Sequence, residues 1–371
     1  MKILLVARWP VGGIRTYLRY VFRHEVMGRY EFAMVGPRET GVEAALESFR
    51  AGPCRQVVTD ASTVKLLKAV WYEVRLWRPD LIHSHGFTSG VISAPVARLA
   101  RTPHLLTSHD VLFSRQFPGL SGRLRRAGVG IALRSIDHVM AVGEDALRNL
   151  QEFYPMLACP RRSSAIRNGI DVQAFATNAR RDLRGELGLG PDVLLLGFFG
   201  RFMAQKGFDL LIDAVAACRG RGANLNVVCF GWGGFIREEQ SALRERGLDG
   251  HFHFLPHTED VALALRGVDA AVMPSRWEAC PLLPMEALVA GAPLIASDCI
   301  GMREVTKDTP ALVFQNGNVD GLIARVLELA ARGAELNQLS DRFREEAARR
   351  FDSANAARDL AALYARLTGR R

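Results

Sequence analysis

Short apolar runs alternate with amphipathic stretches along the whole chain, and this alternation constrains the fold more than any other feature. The apolar runs end in a glycine or a turn, and the segments between them have helical periodicity. Such a pattern is typical of parallel sheets covered by helices on both faces, whose strands read as nearly continuous apolar segments. It predicts strands at 2–7, 31–36, 55–59, 81–85, 104–109 and 138–143, helices over 62–78 and 88–101, and a second series of strands at 193–200, 225–231, 251–255, 270–275, 293–297 and 311–314.

The two series predict two domains, because 371 residues exceed what one hydrophobic core usually supports. A polar, glycine-bearing stretch at 171–192 separates them. We predict an α/β protein with Rossmann-like domains at 1–182 and 183–350, and a C-terminal helix at 351–371 that packs back toward the first domain. Ligands of such sheets bind beyond the carboxyl ends of the strands, so we expect two doubly wound domains that face each other across a cleft.

Composition excludes several classes of protein. Hydrophobic residues make up 49% and charged residues 23% of the chain, which is typical of a folded protein and not of a disordered one. No apolar run reaches the roughly 18 residues of a membrane span, and the N-terminus is expected to form a strand and not a signal peptide. The six cysteines form no C-x-x-C pair, so we expect no disulfide framework and a cytoplasmic location.

Positive charge is concentrated in the first half of the chain. Residues 1–182 carry 26 Lys and Arg against 15 Asp and Glu, whereas residues 183–371 carry 22 against 24. The excess predicts an anionic partner such as phospholipid headgroups, acidic sugars or nucleic acid, and a solvated arginine-rich surface explains it equally well. Within it, the basic amphipathic segment 121–135, with Arg123, Arg125 and Arg126, is suited to the surface of an anionic membrane.

Two predicted strand ends carry residues suited to phosphate. Gly12 and Gly13 follow the first strand and precede a helix, where backbone N–H groups can approach an anion closely; alone, a turn between strand and helix explains them better. Arg201 and Lys206 follow the first strand of the second series and open another helix. Two cations at that place could bind a diphosphate, since Arg supplies a planar fork and Lys a point charge.

Two glutamates flank an uncharged, proline-punctuated turn in the segment "EACPLLPME". We expect Glu278 on a loop after a strand and Glu286 in the first turn of the following helix, so that both point into one cleft. A carboxylate accepts protons from two hydroxyl groups and therefore recognises a diol well. A first-turn glutamate can instead simply complement the helix dipole.

Other polar residues have less specific explanations. His83 and His85 could bind a metal only with a third ligand, and we interpret them as hydrogen-bonded residues at a strand end, so no metal site is predicted. Cys280 has no evident histidine partner for a nucleophilic role. Asp110 is either a general base or a helix cap. Trp232 could stack on a base, although core packing explains it better.

The motifs, in their order along the chain, resemble glycosyltransferase family 4, retaining enzymes of the GT-B fold that use nucleotide-sugar donors. The E-x7-E motif of Glu278 and Glu286 carries the resemblance; Gly12-Gly13, "SHD" with His109, "RNGID", "GRFMAQKG" with Arg201 and Lys206, and "GMREV" support it. Many members have glycines directly after the first glutamate. Here Pro281 stands in that stretch without an N–H group, so contacts to the donor phosphates are expected from the amides of Leu282 and Leu283.

The resemblance implies a role for each of these residues. Glu286 would bind the ribose hydroxyls and Glu278 the hydroxyls of the donor sugar. Arg201 and Lys206 would neutralise the departing diphosphate, with the Gly12-Gly13 amides assisting, and His109 would lie beside the anomeric centre. No metal or other cofactor would be needed. The expected donor is a UDP-sugar, with a GDP-sugar as the alternative.

We therefore expect a retaining hexosyltransferase of cell-envelope polysaccharide synthesis, acting on a glycan, glycolipid or lipid-linked acceptor. Attachment to the inner face of the cytoplasmic membrane through the basic N-terminal domain is a further expectation. The alternatives are a nucleotide-sugar epimerase or a phosphorylase on the same fold, a catalytically silent fold member, and a basic nucleic-acid-binding protein. No recognition helix supports the last, so we predict no nucleic-acid partner.

Overall fold

A computed structural model describes residues 1–38, 54–231, 233, 235–256, 258 and 260–369 of the chain. The chain divides into two compact units, one formed by residues 1–170 and 352–371 and the other by residues 171–351. Each unit contains one parallel sheet between layers of helices. Among the described residues, no helix has the length and apolar character to cross a bilayer.

The first unit is built on a seven-stranded parallel sheet in the order β3-β2-β1-β4-β5-β6-β7. The apolar strands lie in its centre; Leu4, for example, pairs with Ala33 on one side and with Ile82 on the other. The strands are β1 Lys2–Ala7, β2 Glu31–Pro37, β3 Cys54–Thr59, β4 Leu81–His85, β5 His104–Ser108, β6 His138–Ala141 and β7 Ser163–Ala165. The helices are α1 Gly13–Phe22, α2 Thr63–Trp77, α3 Phe87–Ala100, α4 Gly119–Ser135 and α5 Glu144–Phe153, with 3₁₀ turns at Glu25–Arg29, Ser114–Gln116 and Pro155–Leu157.

The helices of this unit lie on opposite faces of the sheet because the chain turns in both directions from the centre. The connection from β1 to β2 runs one way, and the connections from β3 through β4 and β5 to β6 run the other way. Since such crossovers are right-handed, α1 lies on one face and α2, α3 and α4 lie together on the opposite face. The core reflects this division: Tyr17 and Leu18 of α1 pack with the C-terminal helix, and Leu66 and Val70 of α2 pack with α3.

The second unit contains a six-stranded parallel sheet in the order β10-β9-β8-β11-β12-β13. Its main apolar core includes Phe198 of β8 together with Phe202 and Phe208. The strands are β8 Leu194–Phe199, β9 Leu225–Phe230, β10 Phe252–Leu255, β11 Ala270–Met273, β12 Leu294–Ser297 and β13 Leu312–Phe314. The helices are α6 Val172–Phe175, α7 Leu183–Leu187, α8 Phe208–Gly220, α9 Ile236–Glu245, α10 Val261–Arg266, α11 Leu283–Ala290, α12 Met302–Thr306 and α13 Val319–Phe351, with 3₁₀ turns at Ala204–Lys206 and Asp249–His251.

The last helix, α14 Ser353–Thr368, returns to the first unit. A bend at Asp352 separates it from α13, and the Asp352 side chain accepts a hydrogen bond from the N–H of Ala354 at its start. Ala357, Leu360 and Tyr364 are fully or almost fully buried in the core beneath α1.

The two doubly wound α/β units have the predicted strands, each within two residues of its expected ends. The short strand β7 was missed because its sequence, "SSA", has no apolar run. The units divide after Ile170 and not at 182, since the linker packs onto the second unit: the N–H of Arg181 bonds to Leu263 O, and Arg344 donates to Thr177 O.

Candidate active site

Glu278 lies in the loop after β11, where it forms a largely buried ion pair with Lys206. Its Oε1 is 2.7 Å from Lys206 Nζ and accepts a hydrogen bond of 2.8 Å from the Ser275 hydroxyl group. Gln205 Nε2 donates to the Trp277 carbonyl at 2.9 Å and reaches Glu278 Oε2 at 3.4 Å. The carboxylate is thus held by groups from the ends of two neighbouring strands, β8 and β11.

Two glycines allow the loops around this pair to approach each other. Gly207 has φ +64° and a side chain there would lie 2.1 Å from Pro274 O, so the turn after Lys206 can touch the end of β11 only with glycine. Gly301 has φ +78° and its added Cβ would lie 2.2 Å from Glu278 O. The N–H of Glu278 also bonds to Ile300 O at 3.0 Å. The glycines of the "QKG" and "GMREV" motifs therefore fix the backbone of the glutamate.

Arg201 is placed differently from Lys206. It is exposed beyond the end of β8, and within the described part of the chain it makes no hydrogen bond or ion pair. Arg276, two residues before Glu278, instead closes the loop: it donates to Asp209 at 2.8 and 2.6 Å and to Ala204 O at 2.8 Å. Of the two predicted cations, Lys206 is therefore already paired with Glu278, whereas Arg201 is available to a ligand.

Glu286 lies in the first turn of α11 and is buried, as is Glu278. Leu282 and Leu283 open the same helix. Their N–H groups have no intrahelical acceptor because the first N–H groups of a helix precede its hydrogen-bond ladder. The described geometry therefore places both glutamates and two free amides at the carboxyl edge of the second sheet.

The first unit presents Gly12, Gly13 and His109 at the carboxyl edge of its own sheet. Gly12 has φ +56° and begins α1, whose N-terminus carries free N–H groups. A side chain added at Gly13 would meet nothing within 4 Å. Tyr17 of α1 packs edge-on against His109, with ring centroids 5.0 Å apart. The helix α1 therefore follows the two glycines directly and also supports the His109 ring.

His109 also contacts a histidine cluster that the sequence did not predict. Its Nε2 lies 3.2 Å from His85 Nδ1, and the His85 ring stands 4.2 Å from that of His83. Burial lowers the pKa of His109 to about 3, and burial together with the neighbouring histidines lowers the pKa of His83 and His85 well below 6.5. All three rings are therefore neutral at physiological pH. Among the described residues, no cluster of three or more metal-ligating side chains is present.

Three secondary expectations have different outcomes. No helix begins directly after Asp110, so its interpretation as a helix cap is wrong. Cys280 is a buried, free cysteine in the turn between Glu278 and Glu286, and its nucleophilic role stays untested. Trp232 lies outside the described residues.

The basic segment 121–135 lies within α4, a helix with apolar side chains both on its buried face and on its exposed face. Leu133 is fully buried, whereas Leu120, Leu124 and Ile131 are each more than 60% exposed. Arg123 is exposed. Arg125 packs over Phe117 and donates to Gln116 O, and Arg126 turns inward, where it donates to Phe153 O at 2.8 Å. Of the three predicted arginines, Arg126 therefore contributes least to the outer surface.

Comparison with known proteins gives matches along both units. The family model for glycosyl transferases group 1 matches residues 194–332, and the model for Glycosyltransferase Family 4 matches residues 11–174. A D-inositol 3-phosphate glycosyltransferase from Geodermatophilus obscurus is 29% identical over 255 residues, which cover 64% of this chain and 56% of that protein. A glycogen synthase from Mycobacterium tuberculosis is 29% identical over 301 residues, covering 78% of this chain and 69% of the synthase.

Solved structures match over the full length. Anabaena HepE in complex with UDP-glucose superposes with a TM-score of 0.83 at 20% identity, covering 99% of this chain and 100% of HepE. This likeness confirms the predicted GT-B fold. Together, the two matched family models and the glutamate motif identify the chain as a member of the group 1 and family 4 glycosyltransferases.

Proposed function

We propose that the chain is a retaining glycosyltransferase that moves a hexosyl group from a UDP-sugar to a glycan, glycolipid or lipid-linked acceptor of the cell envelope. The observation that carries the proposal is the largely buried ion pair of Lys206 and Glu278 at the carboxyl edge of the second sheet. A cation and a carboxylate at one strand edge suit a ligand with an anionic diphosphate next to a sugar. HepE, of the same fold, was crystallised with UDP and with UDP-glucose, which favours UDP over GDP.

Each residue then has a chemical role. Glu286 binds the ribose hydroxyls and Glu278 the sugar hydroxyls, while Lys206 and Arg201 bind the diphosphate with the amides of Leu282 and Leu283. The bond between the anomeric carbon and the phosphate oxygen breaks and its electrons leave with UDP, as the acceptor oxygen bonds to the same carbon and loses its proton. Fixed cations and amides stabilise the charge that develops on the leaving group, which is a large source of catalysis. In the first unit, Gly12, Gly13 and His109 are available to a substrate at the carboxyl edge of that unit's own sheet.

Thermal shift and product analysis test this proposal. We expect UDP and UDP-hexoses to raise the melting temperature more than GDP, ADP and their sugars do, because only bound ligands stabilise the folded state. With an acceptor, the anomeric configuration of the donor should be kept in the product. Release of an epimerised sugar nucleotide would instead indicate an epimerase, and dependence on inorganic phosphate a phosphorylase. No shift with any nucleotide, together with a gel shift at physiological salt, would favour the nucleic-acid alternative.

Peripheral membrane attachment is the second part of the proposal, and the outer face of the helix layer α2, α3 and α4 supports it. Residues 63–135, which contain these helices, carry 11 Lys and Arg against three Asp and Glu. Glu73, the only acid on the three helices, is buried and pairs with Arg55. The large apolar side chains exposed on this layer are Val64, Trp71, Tyr72, Leu76, Leu99, Leu120, Leu124 and Ile131.

This composition matches an anionic bilayer surface, where basic residues contact headgroups and apolar and aromatic side chains enter the interface. We expect the protein to sediment at low salt with vesicles that contain phosphatidylglycerol, and not with pure phosphatidylcholine vesicles. The double variant Leu124→Ser with Ile131→Ser should weaken binding, whereas Leu339→Ser, the same apolar-to-polar change at an exposed leucine of the second unit, should not. Equal binding of all variants would remove this part of the proposal.

A further inference from the structure

His85 and His109 are joined by one hydrogen bond, to which only one of the two rings can contribute the proton. His85 Nδ1 and His109 Nε2 are 3.2 Å apart, and both rings are neutral. One nitrogen must therefore donate its N–H and the other must accept with its lone pair. The choice between these arrangements also fixes which nitrogen of His109 carries hydrogen.

The His85 ring is held on several sides. It is almost completely buried, and the rings of Tyr17 and Phe22 lie 5.9 and 6.1 Å from it, centroid to centroid. The His83 ring lies beside it at a tilt and is itself anchored: Nδ1 is 2.6 Å from the Tyr364 hydroxyl group and Nε2 is 2.6 Å from Thr107 Oγ1. The C-terminal helix α14 thus supports the ring that His109 contacts.

The surroundings of His85 select one of the two arrangements. Its Nε2 is buried and has no hydrogen-bond partner within the described part of the chain. A buried N–H without an acceptor is rarer in proteins than an acceptor without a donor, which indicates that Nε2 carries the lone pair. Hydrogen is then on Nδ1 of His85, which donates to His109 Nε2. His109 in turn carries its hydrogen on Nδ1.

We propose that His85 is a positioning residue that holds His109 as its Nδ1–H tautomer, so that His109 offers a hydrogen-bond donor to a hydroxyl group of a sugar substrate. The exposed side of His109 agrees with this role. Its Nδ1 makes no hydrogen bond to any residue the structure describes, and the side chain is only partly buried. The ligand of His109 rests on the proposed function, whereas the tautomer does not.

Nitrogen NMR of the wild-type protein tests the tautomer directly. The chain has nine histidines, and selective ¹⁵N-histidine labelling with the loss of one signal set in a His109→Gln variant would assign His109. We expect the chemical shifts of a protonated Nδ1 and an unprotonated Nε2. Protonation at Nε2, or averaged shifts from two exchanging tautomers, would overturn the proposal, whether or not the protein transfers sugar.

Variants test the effect on transfer. His85→Phe keeps an aromatic ring and removes the donor; we expect kcat to fall about 10-fold with KM for the donor unchanged, the loss of one hydrogen bond of about 1.4 kcal/mol. His85→Asn places an amide N–H near the original Nδ1 and should recover most of this loss. The control is His104→Asn, which removes another buried imidazole of the same sheet, one bonded to Ser84.

The outcomes separate a positioning role from a structural one. A His85→Phe protein in which His109 keeps its tautomer and kcat is unchanged contradicts the proposal. An equal loss of kcat in His85→Phe and His104→Asn would show a general effect on the sheet and also contradict it. If the wild-type protein transfers no sugar, the proposed function fails. The NMR comparison of the His109 tautomer in wild type and His85→Phe still shows whether His85 positions His109.

Discussion

The ammonium group of Lys206 lies 2.7 Å from the carboxylate of Glu278, and both side chains are less than one-fifth exposed. Without a ligand, each charge therefore neutralises the other. A diphosphate that binds Lys206 competes with Glu278 for it, and the carboxylate is then free to accept hydrogen bonds from the sugar. The ion pair accordingly couples the two halves of the proposed donor site.

Glu278→Gln separates the two proposed functions of this pair. The amide keeps the size of the side chain and leaves Lys206 free for the diphosphate, so UDP should bind at least as tightly as to wild type. Turnover should fall about 10- to 100-fold, because hydrogen bonds to a charged group contribute about 1.5–3 kcal/mol. Calorimetry with UDP and initial rates with UDP-sugar measure the two effects. Glu346→Gln, at an exposed carboxylate paired with Arg349, is the matched control; unchanged turnover in Glu278→Gln would refute the assigned role.

Lys206→Ala should weaken both UDP binding and turnover, and it should also destabilise the second unit. It leaves a buried carboxylate without its cation, which we expect to cost about 2 kcal/mol, less than for a deeply buried pair because both groups keep some exposure. The double variant Lys206→Ala with Glu278→Gln removes both charges and should regain part of this stability. Urea denaturation measures the difference. A double variant less stable than the sum of the two single changes would contradict this account of the pair.

The sequence predicted the parts of the site that depend on chain-local pattern. Glu278 on a loop and Glu286 in the first turn of a helix follow from an apolar strand, a proline-punctuated turn and a helical segment, all within a short stretch. The partners of Glu278 follow from tertiary packing: Lys206 reaches it only because β8 and β11 are adjacent, and strand order is not encoded in periodicity. Ser275 ended a predicted strand and could have been suspected on that ground.

Long-range contacts explain the other differences. His83 and His85 were interpreted as hydrogen-bonded residues, but the anchoring of His83 by Tyr364 joins residues 281 positions apart. No local signal predicts such a contact. The domain boundary was misplaced for the same reason, since a polar linker segment does not reveal the unit onto which it packs. The fold class was predictable because each parallel strand carries its own apolar signature.

Gly12 and Gly13 should respond differently to alanine. Gly12 has φ +56°, so Gly12→Ala forces a left-handed residue and should destabilise the protein by about 1–2 kcal/mol. At Gly13 the new methyl group meets open space, and stability should stay within about 0.5 kcal/mol of wild type. If the donor phosphates approach this backbone, Gly13→Ala should nevertheless raise KM for the donor. Thermal unfolding and initial rates distinguish the cases, and an unchanged KM would remove Gly13 from the donor site.

Acid should destabilise the first unit through histidines whose pKa is lowered in the folded protein. Burial lowers the pKa of His104 and His109 to about 3, from an ordinary value of 6.5. Below about pH 6.5 the unfolded chain therefore binds protons that the folded chain does not, and the free energy of unfolding falls with pH until the folded pKa is reached. Between about pH 7.5 and about pH 5.5 these two residues should together remove roughly 3 kcal/mol.

Urea denaturation at several pH values between these limits measures the effect, because most carboxylates stay ionised there and the histidines dominate proton uptake. His104→Asn keeps a polar side chain beside Ser84 but cannot titrate, so its stability should fall by about 1.4 kcal/mol less than that of wild type over the same range. The quantity compared is the slope of the unfolding free energy against pH. The constant loss of stability caused by the substitution itself therefore does not affect the comparison. Parallel pH profiles for the two proteins would mean that His104 is protonated in the folded state and that its burial does not control the acid response.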